Sequence, residues 1–376
     1  MRHLTLMLKP ASGMCNLRCR YCFYADETQK RSVPSYGLMS PETLEQVLRK
    51  ALEAAEERCT ICFQGGEPTL AGLDFFRRAV ELGARWNVHG CALSFSLQTN
   101  GLLLDDDWCR FLAEQHFLVG VSLDGAKDLH DANRVDPQGR GTFNRVFRSI
   151  QRLQRHGAEV NVLTVLTGGL CRSFRKIYRF YVKNGLTYQQ YIPCLDPLGE
   201  PRGEQPWSLN PRRFGQYMCT AFDVWYEAAL AGRRTYHRYF ENLLRMLDGQ
   251  PPEACGMLGV CGMQYVVEAD GSVYPCDFYM LDAYRLGNLN TDSFQDLDAR
   301  RTELGFVEAS AQPDPACRAC TWFPLCRGGC RRDRDYGPDG IGRNYYCESY
   351  RTFFPYAYPR LERLYRLLTE RWTGEP

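Results

Sequence analysis

The sequence predicts an α/β fold, a partial (β/α)6 TIM-like barrel, followed by a loop-rich, cysteine-bearing region. Three observations carry this. Short apolar runs of strand type alternate with helical runs from residue 4 to residue 193, and alternation of that kind builds a parallel sheet. Five of the six strand runs end on a cysteine, glycine or polar signal. The C-terminal ends of parallel strands are where such folds build active sites. Eight cysteines then crowd into residues 255–347.

The first strand, 4–8 (L-T-L-M-L), runs into a cysteine loop. Ser40 as N-cap with Pro41 at the first helical position starts a helix that reaches about residue 57. Strand 59–64, helix 73–86, strand 92–98, helix 105–114 and strand 118–123 follow, then helix 143–156, strand 160–166, helix 173–184 and strand 188–193. Gln64-Gly65-Gly66-Glu67-Pro68 comes after the second strand, Thr99-Asn100-Gly101 after the third, Asp124-Gly125 after the fourth and Cys194-Leu195-Asp196-Pro197 after the sixth. Asn-Gly and Asp-Gly also make ordinary turns, but their recurrence at one sheet edge points to a shared mouth. Residues 199–211 form a Pro/Gly-rich linker, and Phe214, Tyr217, Ala221, Val224 and Ala228 then recur at helical spacing, with a further helix near 239–247. Residues 264–267 and 272–274 around Asp270-Gly271 read as a β-hairpin that delivers Cys276 and Asp277. Leu361, Leu364, Leu368 and Trp372 close the chain on an amphipathic helix. Three segments are expected: a barrel over 1–200, a linker with packing helices over 201–250, and a cysteine-rich domain over 251–376.

With 46 basic and 44 acidic residues the net charge is +2, so no basic field argues for nucleic acid and no polybasic run for a membrane surface. No apolar stretch approaches the ~20 residues that span a bilayer, and the N-terminal apolar run is too interrupted for a signal peptide. A cytoplasmic protein is expected. Disulfides are rare in that compartment, so the 18 cysteines need another account. Seven of them, Cys59, Cys62, Cys91, Cys109, Cys171, Cys194 and Cys219, are scattered through periodic segments and read mostly as small buried hydrophobes.

The loop C-N-L-R-C-R-Y-C places Cys15, Cys19 and Cys22 at gaps of three and two residues. Iron–sulfur clusters are held by Cys thiolates at such spacings, ordinarily with four ligands, so three thiolates would leave one iron open to a small molecule. A structural zinc site, or a disulfide with a spare thiol, uses the same residue types. The later cysteines (Cys255, Cys261, Cys276, Cys317, Cys320, Cys326, Cys330 and Cys347) number two sets of four, compatible with iron–sulfur clusters or with structural zinc on four thiolates.

Cys15, Cys19 and Cys22 with Tyr21 resemble the CxxxCxxC loop of the radical S-adenosylmethionine (SAM) superfamily, and nearly the whole chain resembles its anaerobic sulfatase-maturating enzymes. That resemblance implies that SAM chelates the open iron and is cleaved to methionine and a 5′-deoxyadenosyl radical. It further implies oxidation of a Cys or Ser residue of a sulfatase to 3-oxoalanine (formylglycine). Hairpin, C-x-x-C-x5-C-x3-C and a distant last cysteine resemble the twin-cluster SPASM extension. By the same resemblance Cys255, Cys261, Cys276 and Cys330 hold one auxiliary cluster, and Cys317, Cys320, Cys326 and Cys347 the other, making three [4Fe-4S] clusters in all. SAM contacts follow likewise: Tyr21 beside the adenine, the backbone of Gly65, Gly66 and Glu67 at the methionine amino group, Ser122 and Arg134 at the ribose and carboxylate, and Leu195 at the adenine end. Gln64 and Asn100, at strand ends, could hydrogen-bond a substrate peptide backbone.

An aldehyde product requires loss of a proton and a second electron after hydrogen abstraction. Asp277, directly after Cys276, could be the base, and it matches the proton acceptor of the family's Y-P-C-D-F-Y motif; a solvated turn aspartate is the alternative. The partners expected are a sulfatase polypeptide, unfolded or as a peptide segment, and an electron donor such as ferredoxin or flavodoxin, without nucleic acid or membrane. Two rivals remain at this level. Another radical SAM/SPASM enzyme could modify small ribosomal peptides by thioether formation or epimerisation, though a first strand starting near residue 4 leaves no room for a leader-binding domain. A non-catalytic zinc-ribbon binding protein is the second.

Overall fold

The computed structural model describes residues 1–233, 235–334 and 341–373. In chain order the elements are β1 (His3–Leu8), α1 (Phe23–Gln29), α2 (Pro41–Ala54), β2 (Arg58–Phe63), α3 (Leu73–Trp86), β3 (Ala92–Thr99), α4 (Asp106–Glu114), β4 (Leu118–Ser122), α5 (Lys127–Asp131), α6 (Phe143–Arg155) and β5 (Glu159–Leu166). Then come α7 (Gly168–Arg172), α8 (Phe174–Lys183), β6 (Tyr188–Pro193), α9 (Pro211–Leu230), β7 (Tyr236–His237), α10 (Arg238–Leu247), β8 (Tyr265–Val267), β9 (Ser272–Tyr274), β10 (Gly287–Asn288), α11 (Phe294–Glu303), α12 (Phe306–Ser310), α13 (Pro315–Arg318), α14 (Phe323–Cys326) and α15 (Cys347–Thr373). All six barrel strands and the helices between them stand within two or three residues of their expected places. Among the described residues no helix is long and apolar enough to cross a membrane.

The chain forms two compact units. The first comprises Met1–Leu123, His130–Asn161 and Met263–Phe306; the second comprises Asp124–Leu129, Val162–Gly262 and Val307–Pro376. In the first unit β1, β2, β3 and β4 are parallel neighbours, with Leu4 opposite Cys59 and Ile61 opposite Phe95. On one face Leu6, Leu8, Ile61, Phe63 and Leu97 are buried against the α2 stripe of Leu44, Val47, Leu48 and Ala51 and against Phe76 and Leu82 of α3. Ser40 caps α2 as its Oγ accepts from the Thr43 N–H at 3.1 Å, so the sequence start signal is the physical one.

The hairpin does not found a separate sheet. β8 lies parallel to β1 on the side away from β2, pairing Leu6 with Tyr265 and Leu8 with Val267. β9 then pairs antiparallel with β8, and β10 with β9. Residues 263–306 therefore pack with the N-terminal strands, where the sequence reading put a boundary at 251. In the second unit β5, β6 and β7 run parallel, and the twenty-residue α9 packs along α15.

Candidate active site and cysteine clusters

β1 ends at Leu8, and the next residue, Lys9, is fully buried although charged. Its Nζ pairs with Asp277 Oδ1 and lies 3.8 Å above the ring of Tyr24. Gln64 Nε2, at the end of β2, donates to Asp277 Oδ2 at 2.7 Å. Both carboxylate oxygens are thus held from two different strand ends, and Asp277 is 6% exposed. The chain of contacts continues inward: Tyr24 Oη donates to Glu268 Oε1 at 2.6 Å, and Arg31 pairs with the same oxygen at 2.8 Å. A buried carboxylate needs such partners to stay charged. Asp277 is therefore no solvated turn residue.

The cysteine loop is fixed from both sides. Its backbone N–H groups at Arg18 and Arg20 donate to the carbonyls of Val135 and Asn133, and the Arg134 guanidinium stands 5.4 Å from the centre of the Tyr21 ring. On the other side the N–H of Glu67 donates to Met14 O at 2.8 Å. Two glycines permit that approach. A Cβ on Gly66 would stand 2.1 Å from Met14 O, and Gly65 has φ +95° with a Cβ position 2.6 Å from the Lys9 stem. Backbone N–H groups of Leu17 and Ala25 point at Cys15 Sγ and Cys22 Sγ, each at 3.4 Å. Cys22 thereby caps α1, a helix the sequence reading left unmarked. Burial pushes the Cys15 thiol up to about 11, opposed by the Leu17 N–H and reinforced by Glu67 and Cys22. The adjoining N–H groups, which favour a thiolate, suit a metal-bound sulfur.

Glu67 is buried and occupied. It accepts from Thr69 N–H at 3.0 Å, Thr69 Oγ1 at 2.6 Å, Thr99 Oγ1 at 2.7 Å and Asn100 N–H at 2.7 Å, tying the end of β2 to the end of β3. Burial raises its pKa, and these donors oppose the rise. Its backbone is engaged as well, the N–H with Met14 O and the carbonyl with the Leu70 N–H at 3.1 Å. The expected peptide contacts fare differently. Gln64 spends its amide nitrogen on Asp277, while Asn100 donates to Asn16 Oδ1 at 2.7 Å and accepts from Leu102 N–H at 3.0 Å. Both behave as organisers of the site. Ser122 is half-buried at the end of β4 in the first unit, and Leu195, also half-buried, follows β6 in the second.

In the second unit the late cysteines fall into neighbourhoods. Burial pushes the Cys326 thiol up to about 12, and Cys347, Cys317 and Cys320 act on it through space. Cys330 is likewise raised by burial, with Cys255 and Cys261 among its neighbours. Cys276 belongs to the first unit. The surroundings fit anionic clusters: Arg334 is 2% exposed, yet its Nε and Nη1 have no hydrogen-bond partner among the described residues. Five of the seven scattered cysteines are buried, and Cys62 and Cys219 are half-buried. An open cavity of about 560 Å³ lies among Arg172, Arg175, Arg213 and Tyr217; none of the expected site residues lines it.

The residues missed in sequence are Lys9, Tyr24, Arg31 and Glu268. A lysine terminating an otherwise apolar strand, just before the cysteine loop, was the available signal for Lys9. Nothing local marks the others.

Residues 10–180 match the family described as the Radical SAM superfamily, and residues 258–321 the one described as an iron-sulfur cluster-binding domain, SPASM. The chain is 45% identical to a cysteine-type anaerobic sulfatase-maturating enzyme of Clostridium perfringens, over 95% of this chain and 97% of the relative. It is 41% identical to the enzyme of that name from Clostridium novyi, over 99% and 100%. A serine-type enzyme from Klebsiella pneumoniae is 31% identical over 93% and 86%. A solved structure described as native anSMEcpe with bound AdoMet and Kp18Cys peptide superposes with a TM-score of 0.93 at 44% identity, over 97% of this chain and 99% of that one.

Proposed function

This chain belongs to the anaerobic sulfatase-maturating enzymes of the radical SAM superfamily, and from that premise we propose which residues carry the reaction and which substrate they serve. It is a radical SAM oxidoreductase whose cofactors are iron–sulfur clusters and SAM, so a zinc-ribbon reading is excluded. Its reaction turns a Cys or Ser residue of a sulfatase into 3-oxoalanine.

Bound to the reduced cluster, SAM supplies a 5′-deoxyadenosyl radical able to take one hydrogen atom from the substrate Cβ. The thiolates of Cys15, Cys19 and Cys22 would hold that cluster. Tyr21, Arg134 and Ser122, Leu195, and the backbone of Gly65, Gly66 and Glu67 would hold SAM. One proton and one electron must still leave the substrate. Asp277 takes the proton: its carboxylate is paired with Lys9 and aimed by Gln64, in a setting almost closed to water. Cys255, Cys261, Cys276 and Cys330 would hold one auxiliary cluster and Cys317, Cys320, Cys326 and Cys347 the other, and these clusters would supply the acceptor for the electron. An external donor of the ferredoxin or flavodoxin kind would supply the electron for the first cluster. The observation that carries this reading is the Asp277 carboxylate fixed beside Cys276.

The substrate residue is cysteine. The relatives named cysteine-type share 41–45% of their residues with this chain, against 31% for the serine-type enzyme of Klebsiella pneumoniae. Anaerobic reaction with SAM and matched peptides of the Cys-x-Pro-x-Arg and Ser-x-Pro-x-Arg kind, read by mass, tests it. Aldehyde from the cysteine peptide at the greater rate is expected; preference for the serine peptide would overturn the assignment.

A further inference from the structure

The second unit holds a buried, arginine-rich network that the mechanism above does not use. Arg331, Arg332 and Asp333 form a single turn directly after Cys330, and Arg334 follows. Arg331, Arg332, Arg334, Asp333 and Asp196 are each less than 10% exposed, as is the side chain of Arg202. Arg202 approaches Asp333 at 3.5 Å and donates to the carbonyl of Arg332; Arg332 donates to the carbonyl of Asp196 at 2.7 Å. The Asp196 carboxylate is taken by Gly203 N–H at 3.0 Å and by Ser208 Oγ. Arg202 is thus tied to Asp333 and to the backbone of this turn, and Arg332 to the backbone at Asp196, while among the described residues Arg334 meets neither carboxylate within hydrogen-bond distance.

Arg334 is the least satisfied member. Its one side-chain hydrogen bond among the described residues runs from Nη2 to the carbonyl of Ser310 at 2.8 Å, and Nε and Nη1 find no acceptor there. A buried cation with unused donors is unfavourable unless a counter-charge arrives. Its location says from where. Nη1 lies 3.8 Å from the Cβ position of Gly328, whose N–H is directed at the Cys326 sulfur. The same Ser310 accepts, through Oγ, the N–H of Cys261 at 2.8 Å. Arg334 thus adjoins both cysteine neighbourhoods of this unit.

We propose that Arg334 is an internal counter-ion of the auxiliary iron–sulfur clusters, raising their reduction potential so that they accept the substrate electron. This rests on the assignment of Cys317, Cys320, Cys326 and Cys347, and of Cys255, Cys261 and Cys330, as cluster ligands. A four-iron core on four thiolates is an anion that gains one more negative charge on reduction, so a nearby fixed cation favours the reduced form. Charge, more than shape, is the requirement at position 334.

The test compares Arg334→Met and Arg334→Lys in the full chain, built on a Cys15→Ala/Cys19→Ala/Cys22→Ala background so that only the auxiliary clusters report. Iron content, reductive titration followed by electron paramagnetic resonance, and thermal unfolding with and without iron are read. Arg334→Met should lower at least one auxiliary midpoint by about 59 mV, a tenfold change in the oxidised-to-reduced ratio. Arg334→Lys should restore most of that shift. Without iron, Arg334→Met should unfold at the parent's temperature or above, because it removes an unpaired buried charge. Unchanged potentials in an iron-replete Arg334→Met protein would overturn the inference. So would equal destabilisation of the iron-free and iron-loaded forms, which marks a structural clamp. Iron near four per chain in the otherwise unaltered parent would instead remove the cluster assignment itself, and the inference with it.

Discussion

The two units treat buried charge in opposite ways. In the first, Asp277, Glu67 and Glu268 are all almost fully buried, and each is met by donors from the chain itself. In the second, Arg334 is buried and keeps two donor atoms without partners among the described residues. In the first unit the buried carboxylates find their partners within the polypeptide, whereas Arg334 in the second lacks a full set among the described residues. Preorganisation of this kind in the first unit is what a positioned base requires.

The contrast can be broken in several ways. Replacing Cys15, Cys19 and Cys22 together by Ala should abolish 5′-deoxyadenosine formation, with no iron left able to take up SAM; residual cleavage above background would refute the site assignment. Removing iron from the parent with a chelator should loosen the second unit far more than the first. Hydrogen exchange should quicken by about 100-fold or more around 310–334, while amides of β1, β2 and β3 change little. Comparable loss in both units would erase the distinction. Lys9→Met should cost roughly 3–5 kcal/mol of stability in chemical unfolding, since it strands the Asp277 charge in a buried site; the companion Lys9→Met/Asp277→Leu should recover much of that loss, and a double variant no better than the single would show that the pair is not coupled.

A smaller effect separates the units by pH. His237 in the second unit is buried, accepts or donates at Tyr217 Oη over 3.1 Å, and burial pushes its pKa down to about 3. A group whose folded pKa is depressed contributes stability above its unfolded value, near 6.5, and loses it as pH falls towards 3. The slope is about 1.4 kcal/mol per pH unit within that window. His237→Phe should flatten the acid limb of the stability curve; an unchanged limb would assign the sensitivity elsewhere.

Much of this architecture was legible because it is periodic. The six strands, their helices and the polar ends of the strands follow from local alternation, whereas Asp277 stood out by its place directly after Cys276 and by the family resemblance. Three features were not legible, each for a physical reason. The hairpin's place beside β1 depends on pairing across more than 250 residues, with Leu6 opposite Tyr265, and no local pattern announces a partner so distant. Lys9 was not marked in the sequence, because its partners, Asp277 and Tyr24, come from elsewhere in the chain. Arg331-Arg332-Asp333-Arg334 was not marked in the sequence either, and its burial depends on partners distant in the chain, Arg202 and Asp196 for Arg332 and Asp333, and Ser310 for Arg334. The division of the late cysteines into sets came from resemblance, and spacing alone could not supply it.

The central claim is that Asp277 accepts the substrate proton, and Asp277→Asn tests it most directly. The amide keeps the shape and loses the basicity. Anaerobic turnover with SAM and a Cys-x-Pro-x-Arg peptide should still yield 5′-deoxyadenosine, while 3-oxoalanine formation falls by roughly 100-fold or more, so the ratio of the two products rises by that factor. A variant that oxidises peptide at the parent's rate, with the parent's product ratio, would contradict the account and move the base to another group at the strand ends.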